Sequence, residues 1–314
     1  MRYGIVVDSC CDLPAPVFEE NRVIIMPIRI RIGDLEFDDD RSPETVARFF
    51  NENLGTRSHS AETEPFTVEQ ITELFLSKLV IDYDCVFCHT IAASRSQINA
   101  NAKQASLAIL NRYHSIRKDA GVPGPFVLRL IDSGTLFAGQ GIGVLELIRM
   151  IGEGATTGAI RERVEYIDQH THAFMIPRDL YYLRARAQKK GDNSVGWVSA
   201  ALGSALDIKP ILQGSRGETK PVGKARGFDQ GISKLCAYTQ ERVRAGLLTP
   251  HLCVSYGGSL FELDAMPGYA ALKETCAEHE ITVHESPMSI TGMVNVGVGC
   301  VAIAFASPEH KLPF

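Results

Sequence analysis

The sequence lacks the motifs of several common enzyme classes, and it also lacks any long apolar run. No Gly-x-x-x-x-Gly-Lys-Ser/Thr stretch occurs, which excludes a P-loop nucleotide site. No Gly-x-Ser-x-Gly stretch occurs either, which argues against a common serine hydrolase. No two histidines are spaced four residues apart, as a metal site on one helix face would require. The longest apolar runs are far shorter than the roughly 20 residues of a membrane-spanning helix.

A strong excess of one charge sign is missing as well. The chain has 32 Lys and Arg against 37 Asp and Glu, a net charge of −5. This balance argues against nucleic acid or an anionic membrane surface as the main partner. The amino-terminal stretch MRYGIVVDSC reads as a strand and has no extended apolar signal region, so we expect a cytoplasmic protein.

The eight cysteines do not form a metal-binding pattern. Cys85 and Cys88 make a Cys-x-x-Cys, but no second pair follows at zinc spacing, and Cys10 and Cys11 are adjacent in the chain. Four of the eight lie in apolar runs, where cysteine acts as a small hydrophobic residue: Cys85, Cys88, Cys253 and Cys300. We therefore expect reduced, buried thiols and no structural metal.

The order of apolar segments predicts an α/β fold. Strand-like runs alternate with helical patterns, which is typical of a parallel sheet covered by helices. Because 314 residues exceed the usual size of one domain, we expect two α/β domains, at residues 1–165 and 166–314. The hydroxyl-rich segment 56–67 reads as a loop between helices, and we expect the region of about 56–80 to pack on the second domain. The acidic run 38–40 reads as a solvated loop.

The stretch from Val86 to Leu110 contains the clearest candidate site. An apolar strand is followed by Thr90, by the turn Ser94-Arg95-Ser96 and then by a helix. The first N–H groups of a helix lack partners and its dipole favours negative charge, so this arrangement predicts an anion site. Ser94 and Ser96 are either helix caps alone or ligands of the anion, and the spacing leaves both interpretations open.

Two further strands end in the pair Asp-Ser, at Asp8-Ser9 and at Asp132-Ser133. The carboxyl ends of parallel strands meet at one edge, where open α/β sheets bind ligands, so we expect all three turns to lie together. The run Leu136-Phe137-Ala138 adds an apolar wall, and a carboxylate on an apolar tail suits both features. No nucleophile is assembled, and we expect a binding protein without a cofactor. The alternative is an enzyme acting on a small acyl or phosphorylated substrate in the same cleft.

Five blocks of sequence resemble, in order, the DegV family of bacterial fatty-acid-binding proteins. Asp8-Ser9 with Asp12-Leu13-Pro14 resembles its D-S-x-x-D-L-P motif, Ser94-Arg95-Ser96 its S-G-T turn, and Asp132-Ser133 its second D-S motif. The most specific block, L-G-x-x-L-x-I-K-P-I-L, is matched by the segment from Leu202 to Leu212. The block that follows it is matched from Gly217 to Arg226.

The resemblance implies two α/β domains with one long-chain fatty acid between them, its carboxylate held by hydroxyl side chains. It makes Ser94 the first candidate for that carboxylate and Ser96 the second. The family's other hydroxyl lies in a T-S-x-P loop, whose nearest match here contains Thr63, with Ser60 as the fallback. Some members present the bound acid to a separate fatty-acid kinase. Such a kinase is therefore a candidate partner, and the protein itself is expected to be a non-catalytic carrier.

The chain departs from the family at two places. Where the family often has H-T-G-P-G-A, this chain has the run from Asn295 to Cys300. Asn295 can donate a hydrogen bond to a ligand, but it cannot carry the charge of a histidine. The family's G-G-R before the most specific block is absent, and the segment from Lys189 to Ser194 is different.

Two more sets of residues have expected roles. An acidic group in contact with the ligand would repel its carboxylate, so one set is expected to brace the hydroxyl turns from behind: Asp8, Ser9, Asp132 and Ser133. The second set is basic and is either a solvated face or a docking surface for an acidic partner such as a kinase. It comprises Arg184, Arg186 and Arg226.

Overall fold

The computed structural model describes residues 1–56, 61–183 and 207–314. Its first sheet has four parallel strands in the order β2-β1-β6-β7. These strands are β1 (Tyr3–Asp8), β2 (Ile24–Met26), β6 (Cys85–Thr90) and β7 (Val127–Asp132). Strand β6 is buried along its whole length, as a strand covered on both faces must be. The predicted amino-terminal parallel sheet is confirmed.

The carboxyl ends of three of these strands meet at one edge of the sheet. Val7 is the register partner of His89, and Thr90 is the partner of Asp132. The ends of β1, β6 and β7 are therefore neighbours, which confirms that the three polar turns share an edge.

A second, antiparallel sheet was not expected from the sequence. Its order is β4-β3-β5, with β3 at Ile28–Ile32, β4 at Leu35–Asp39 and β5 at Ala61–Glu64. Part of the segment predicted as a loop is therefore strand β5, in which Thr63 pairs with Ile30. The interpretation of residues 38–40 as a solvated loop was also wrong, because Asp39 ends β4 and is fully buried.

The third sheet has six strands in the order β10-β9-β8-β13-β11-β12. Only the β11–β12 pair is parallel among the neighbouring pairs of this sheet. The bounds are Thr171–Ile176 (β8), Ile208–Ser215 (β9), Glu218–Arg226 (β10), His251–Tyr256 (β11), Thr282–Pro287 (β12) and Val301–Ala306 (β13). Strands β9 and β10 form a hairpin, with its turn at Arg216-Gly217.

The described helices surround these sheets. They are α1 (Ala15–Glu20), α2 (Pro43–Asn51), α3 (Val68–Leu74), α4 (Ile98–Ala108), α5 (Tyr113–Asp119), α6 (Ala138–Gly152), α7 (Thr157–Gln169), α8 (Phe228–Ala245), α9 (Tyr269–Glu278) and α10 (Ile290–Val296). A π-helical turn, Phe75–Leu79, extends α3 towards Val80–Asp82, and a 3₁₀ helix covers Leu260–Ala265. Within the described ranges, no helix has the length and apolarity needed to cross a bilayer. All eight cysteines are unpaired and buried, as predicted.

Helix α6 packs against both the parallel sheet and the six-stranded sheet. Its residues 138–147 are all buried, as expected of a helix that is covered all round. Two glycines allow the close approach. A Cβ added at Gly139 would lie 2.9 Å from the Cβ of Ala173, and one at Gly143 would lie 2.6 Å from Nε2 of His89. One apolar core joins the two sheets through this helix, and the division at residues 165 and 166 stays a prediction.

Candidate functional site

A cavity of about 490 Å³ lies at the carboxyl edge of the parallel sheet. It is lined by the 94–96 turn, by strand β5, by helix α10 and by residues of the six-stranded sheet. Its apolar wall includes Leu136, Phe137, Met175, Leu212 and Val296. The volume lies within the range of roughly 300–1,000 Å³ that is usual for small-molecule sites.

The two serines of the turn use their hydroxyls differently. The Ser94 hydroxyl donates to the carbonyl of Gly217, so its one proton is engaged by the β9–β10 turn. The Ser96 Oγ instead accepts from the N–H of Ile98 at 3.2 Å and caps the start of α4. An accepting hydroxyl keeps its own proton for another partner. The geometry therefore favours Ser96 over Ser94 as donor to an anion, whereas the resemblance ranked Ser94 first.

The β9–β10 turn closes this side of the cavity. The N–H of Gly217 donates to the carbonyl of Gly134 at 2.7 Å, while its carbonyl accepts from Ser94. Gly134 has a φ of +59°, and a Cβ there would lie 3.3 Å from the nitrogen of Gly217. The left-handed φ and this close approach both favour glycine at position 134. The hairpin of the third sheet is held on two polar turns of the first.

The carboxylates of Asp8 and Asp132 bind backbone N–H groups of the segment between β6 and α4. The Asp8 Oδ2 accepts from the N–H of Ile91 at 2.7 Å. The Asp132 Oδ1 accepts from the N–H of Ala93 and from that of Gly134, both at 3.0 Å. Neither carboxylate is among the cavity-lining residues. Burial raises the pKa of Asp8, against the lowering effect of these N–H donors.

The serines that follow these aspartates also bond to backbone. Ser9 Oγ accepts from the N–H of Ile28 at 3.1 Å and joins the end of β1 to the start of β3. Ser133 Oγ accepts from the N–H of Thr135 at 3.2 Å within its own turn. The predicted supporting role of the four residues in ligand binding stays a prediction, and these contacts are its geometric basis.

Thr63 and Asn295 line the same cavity as the two serines. Thr63 is half-buried on β5. Asn295 is half-buried on α10, where its Nδ2 donates to the carbonyl of Thr291 at 2.7 Å. The structure therefore brings Ser94, Ser96, Thr63 and Asn295 together around one space. The fallback candidate Ser60 lies outside the described residues.

Buried carboxylates of the amino-terminal half fix the position of α10. Asp39 Oδ2 accepts from the N–H of Thr291 at 2.8 Å and from its hydroxyl at 2.7 Å. Asp12 Oδ1 accepts from the N–H of Ser289 at 2.9 Å and from Nη1 of Arg41 at 3.0 Å. Burial raises the pKa of Asp12 to about 6, although the Arg41 guanidinium acts to lower it. These partners are 252 and 277 positions apart, and no local sequence signal links them.

The sequence analysis gave no role to one charged residue of the cavity, and it assigned a set of three arginines to a solvated face or a docking surface. Arg95, between the two serines, lines the cavity and is half-buried. Arg226 is exposed at the end of β10, and its backbone N–H donates to Gln230 Oε1 at 2.8 Å. Arg184 and Arg186 lie outside the described residues.

The candidate nucleophile at the cavity is a thiol held in its protonated form. Cys10 lines the cavity, and burial raises its pKa well above the usual value for a thiol. His89, which the sequence places beside the turn, is instead fully buried and paired with Asp168, Nε2 to Oδ2, at 2.9 Å. Within the described residues, no three potential metal-ligating side chains of His, Cys, Asp or Glu lie together.

The fold and cavity define an α/β protein with a ligand-sized space between a parallel sheet and a mixed one. A family model described as "Uncharacterised protein, DegV family" matches residues 2–308. A DegV domain-containing protein of Xanthomonas campestris pv. campestris is 54% identical over 311 residues, and the match covers 99% of each chain. This chain therefore belongs to the DegV family, which confirms the prediction from the sequence.

Solved structures support the fold. A DegV lipid-binding protein of Thermotoga maritima has a TM-score of 0.75 and 20% identity, with 99% of this chain and 100% of that one covered. A stearic acid-binding protein of Eubacterium ventriosum has a TM-score of 0.74 and 20% identity, with 97% and 98% covered. At these identities the likeness establishes the two-domain α/β fold, as predicted.

Proposed function

We propose that this protein binds one long-chain fatty acid in the cavity described above. One observation carries the proposal: apolar walls and a cluster of hydroxyl groups at a helix amino terminus line the same cavity. The helix terminus and hydroxyls suit a carboxylate, and the walls suit its tail. The stearic acid-binding relative with the same fold supports this ligand class.

The energetics of such a ligand are favourable. Each buried CH₂ group contributes roughly 0.8 kcal/mol, so a tail of ~16 carbons provides a large driving force. Ordering the chain and losing translational freedom offset part of it. The head group then has to supply orientation more than affinity, and a few hydroxyl donors suffice for that.

We further propose that the protein is a carrier and that a fatty-acid kinase is its candidate partner. A cavity whose thiol, Cys10, is kept protonated by burial supports binding over nucleophilic catalysis. The exposed basic residues of β10 support docking of an acidic partner. Strand β10 contributes Thr219 to the cavity lining, so a partner on this strand would stand next to the ligand.

The ligand proposal is tested by extraction and by blocking the cavity. The purified protein is denatured, and its extract is analysed by mass spectrometry. We expect about one fatty acid per chain. The ligand-free protein is then titrated with palmitate by calorimetry, beside Leu183→Trp and Leu247→Trp variants. Both leucines are half-buried, but only Leu183 lines the cavity.

We expect Leu183→Trp to lose most of the affinity, because the larger ring occupies tail volume, while Leu247→Trp matches the parent protein. Circular dichroism checks that both variants are folded. Equal affinity in all three proteins, or a parent protein that binds no palmitate, would overturn the proposal.

A further inference from the structure

The cavity contains one formal charge among its described lining residues. That charge belongs to Arg95, while the other lining residues supply hydroxyl, amide, thiol and apolar groups. Arg95 stands between the two candidate hydroxyls, Ser94 and Ser96, and its Nε is buried. Among the described lining residues, the cation therefore stands at the end of the cavity where the hydroxyls and the start of α4 meet.

A guanidinium in this position adds a different interaction from that of the serines. It has five N–H donors in a planar fork, which fits the two oxygens of a carboxylate. Charge-assisted hydrogen bonds of this kind are about twice as strong as neutral ones. Partial exclusion of water increases the effect, because attraction between charges is stronger at lower dielectric constant.

We propose that Arg95 recognises the charge of the ligand head group and makes the cavity select fatty acids over neutral lipids of equal chain length. This inference rests on the proposed function and deepens it. The S-G-T turn that this segment resembles has glycine in place of Arg95. Selectivity for the anion in this chain therefore comes from a side chain that the motif lacks.

The test compares three ligands with the same 12-carbon chain: dodecanoate, dodecanol and methyl dodecanoate. Dissociation constants are measured by equilibrium dialysis of isotope-labelled ligands against the ligand-free, full-length protein. The variants are Arg95→Gly, which has the residue of the motif, Arg95→Met, which keeps side-chain bulk, and Arg95→Lys, which keeps the charge. Arg112→Met is the matched control, since Arg112 is exposed at the far end of the same helix–turn segment.

We expect Arg95→Gly and Arg95→Met to weaken dodecanoate binding about 10- to 100-fold. Their affinity for dodecanol and for the ester stays within about twofold of the parent, because only the charge-assisted contact is lost. Arg95→Lys keeps part of the preference for the acid, and Arg112→Met keeps all of it.

The outcomes separate this inference from the proposed function. If the parent protein binds none of the three ligands and no palmitate, the proposed function fails and this inference fails with it. If the parent binds dodecanoate and Arg95→Met prefers the acid as strongly as the parent does, fatty-acid binding stands and the role of Arg95 is refuted. An equal loss for all three ligands in both Arg95→Gly and Arg95→Met would assign Arg95 a structural role and would also refute the inference.

Discussion

Ser94 and Ser96 are two positions apart, yet the fold assigns their hydroxyls to different partners. Ser94 donates to the carbonyl of Gly217 and holds the β9–β10 turn. Ser96 accepts from the N–H of Ile98 and keeps its proton available. For Ser94 to donate to a ligand, its hydroxyl must rotate away from Gly217. Ser96 needs no such rotation. The two serines should therefore differ measurably in how much each contributes to the affinity for the ligand.

We expect Ser96→Ala to weaken palmitate binding by about 1–3 kcal/mol, because a carboxylate in the cavity loses a donor. Ser94→Ala should have a smaller effect, since the lost contact is between parts of the protein. Calorimetric titration of both variants and the parent protein measures the difference. A larger loss in Ser94→Ala than in Ser96→Ala would reverse the assignment and support the order implied by the family motif.

At the scale of single residues, the sequence indicated those that follow strand ends. Asp8, Asp132 and the serines beside them were found because parallel strands place their carboxyl ends together. Arg95 was in the quoted motif but had no predicted role, since the direction of its side chain depends on the curvature of the turn. Asp39 was misread because its acceptor role depends on Thr291, which belongs to a distant helix.

Among the elements, α10 is held in place by contacts with residues far away in the sequence. This seven-residue helix carries Asn295 and Val296 to the cavity. Its amino-terminal end is held by Asp39 and by the Asp12–Arg41 pair from the other half of the chain. The Arg41 side chain is only 7% exposed and the Asp12 side chain is 0% exposed. The pair is therefore buried, and removal of Arg41 leaves the Asp12 carboxylate without a compensating charge.

We expect Arg41→Met to lower the free energy of unfolding by about 3 kcal/mol, since Asp12 then lacks its cation in a buried place. Arg29→Met is the matched control. Arg29 pairs with Asp38 at 3.1 Å, but their side chains are 46% and 41% exposed. Such a pair contributes at most about 1 kcal/mol.

Urea unfolding of the two variants and the parent protein measures the three free energies. Similar losses in Arg41→Met and Arg29→Met would mean that burial does not set the strength of these pairs. Palmitate titration of folded Arg41→Met then shows whether displacement of α10 reaches the cavity.

The elements that could be predicted were those with local patterns. Mainly apolar runs that end in polar turns identified β1, β6 and β7. Strand β5 was missed because Ala61–Glu64 contains two glutamates and only one β-branched residue, Thr63. Its strand conformation comes from pairing with β3, which is a tertiary contact.

At the scale of the whole molecule, the two sheets are held together by a shared apolar core. One apolar cluster includes residues of the parallel sheet, of α6 and of one face of the six-stranded sheet. A second cluster lies on the other face, under α8 and α9. The cavity is lined by the turns at the edge of the parallel sheet and by residues of β8, β9 and β10. A ligand there would contact both parts and should stabilise them together.

The charge distribution of the whole molecule gives the last prediction. On a chain of net charge −5, strand β10 forms an edge with exposed Lys220, Lys224 and Arg226. Such an edge would steer an acidic partner, with an association rate that falls as salt increases. The partner proposed above is a fatty-acid kinase, which would act on the acid bound to this protein.

We expect the double variant Lys224→Glu, Arg226→Glu to slow phosphorylation of bound palmitate and to flatten its dependence on salt, because the steering charge is reversed. The control is Lys103→Glu, Arg112→Glu, which makes the same change of net charge at exposed positions away from β10. Initial rates are measured between low and physiological ionic strength, at equal palmitate loading of all three proteins. Equal rates and salt slopes in the three proteins would show that β10 is a solvated face. A parent protein whose bound palmitate is never phosphorylated would refute kinase presentation altogether.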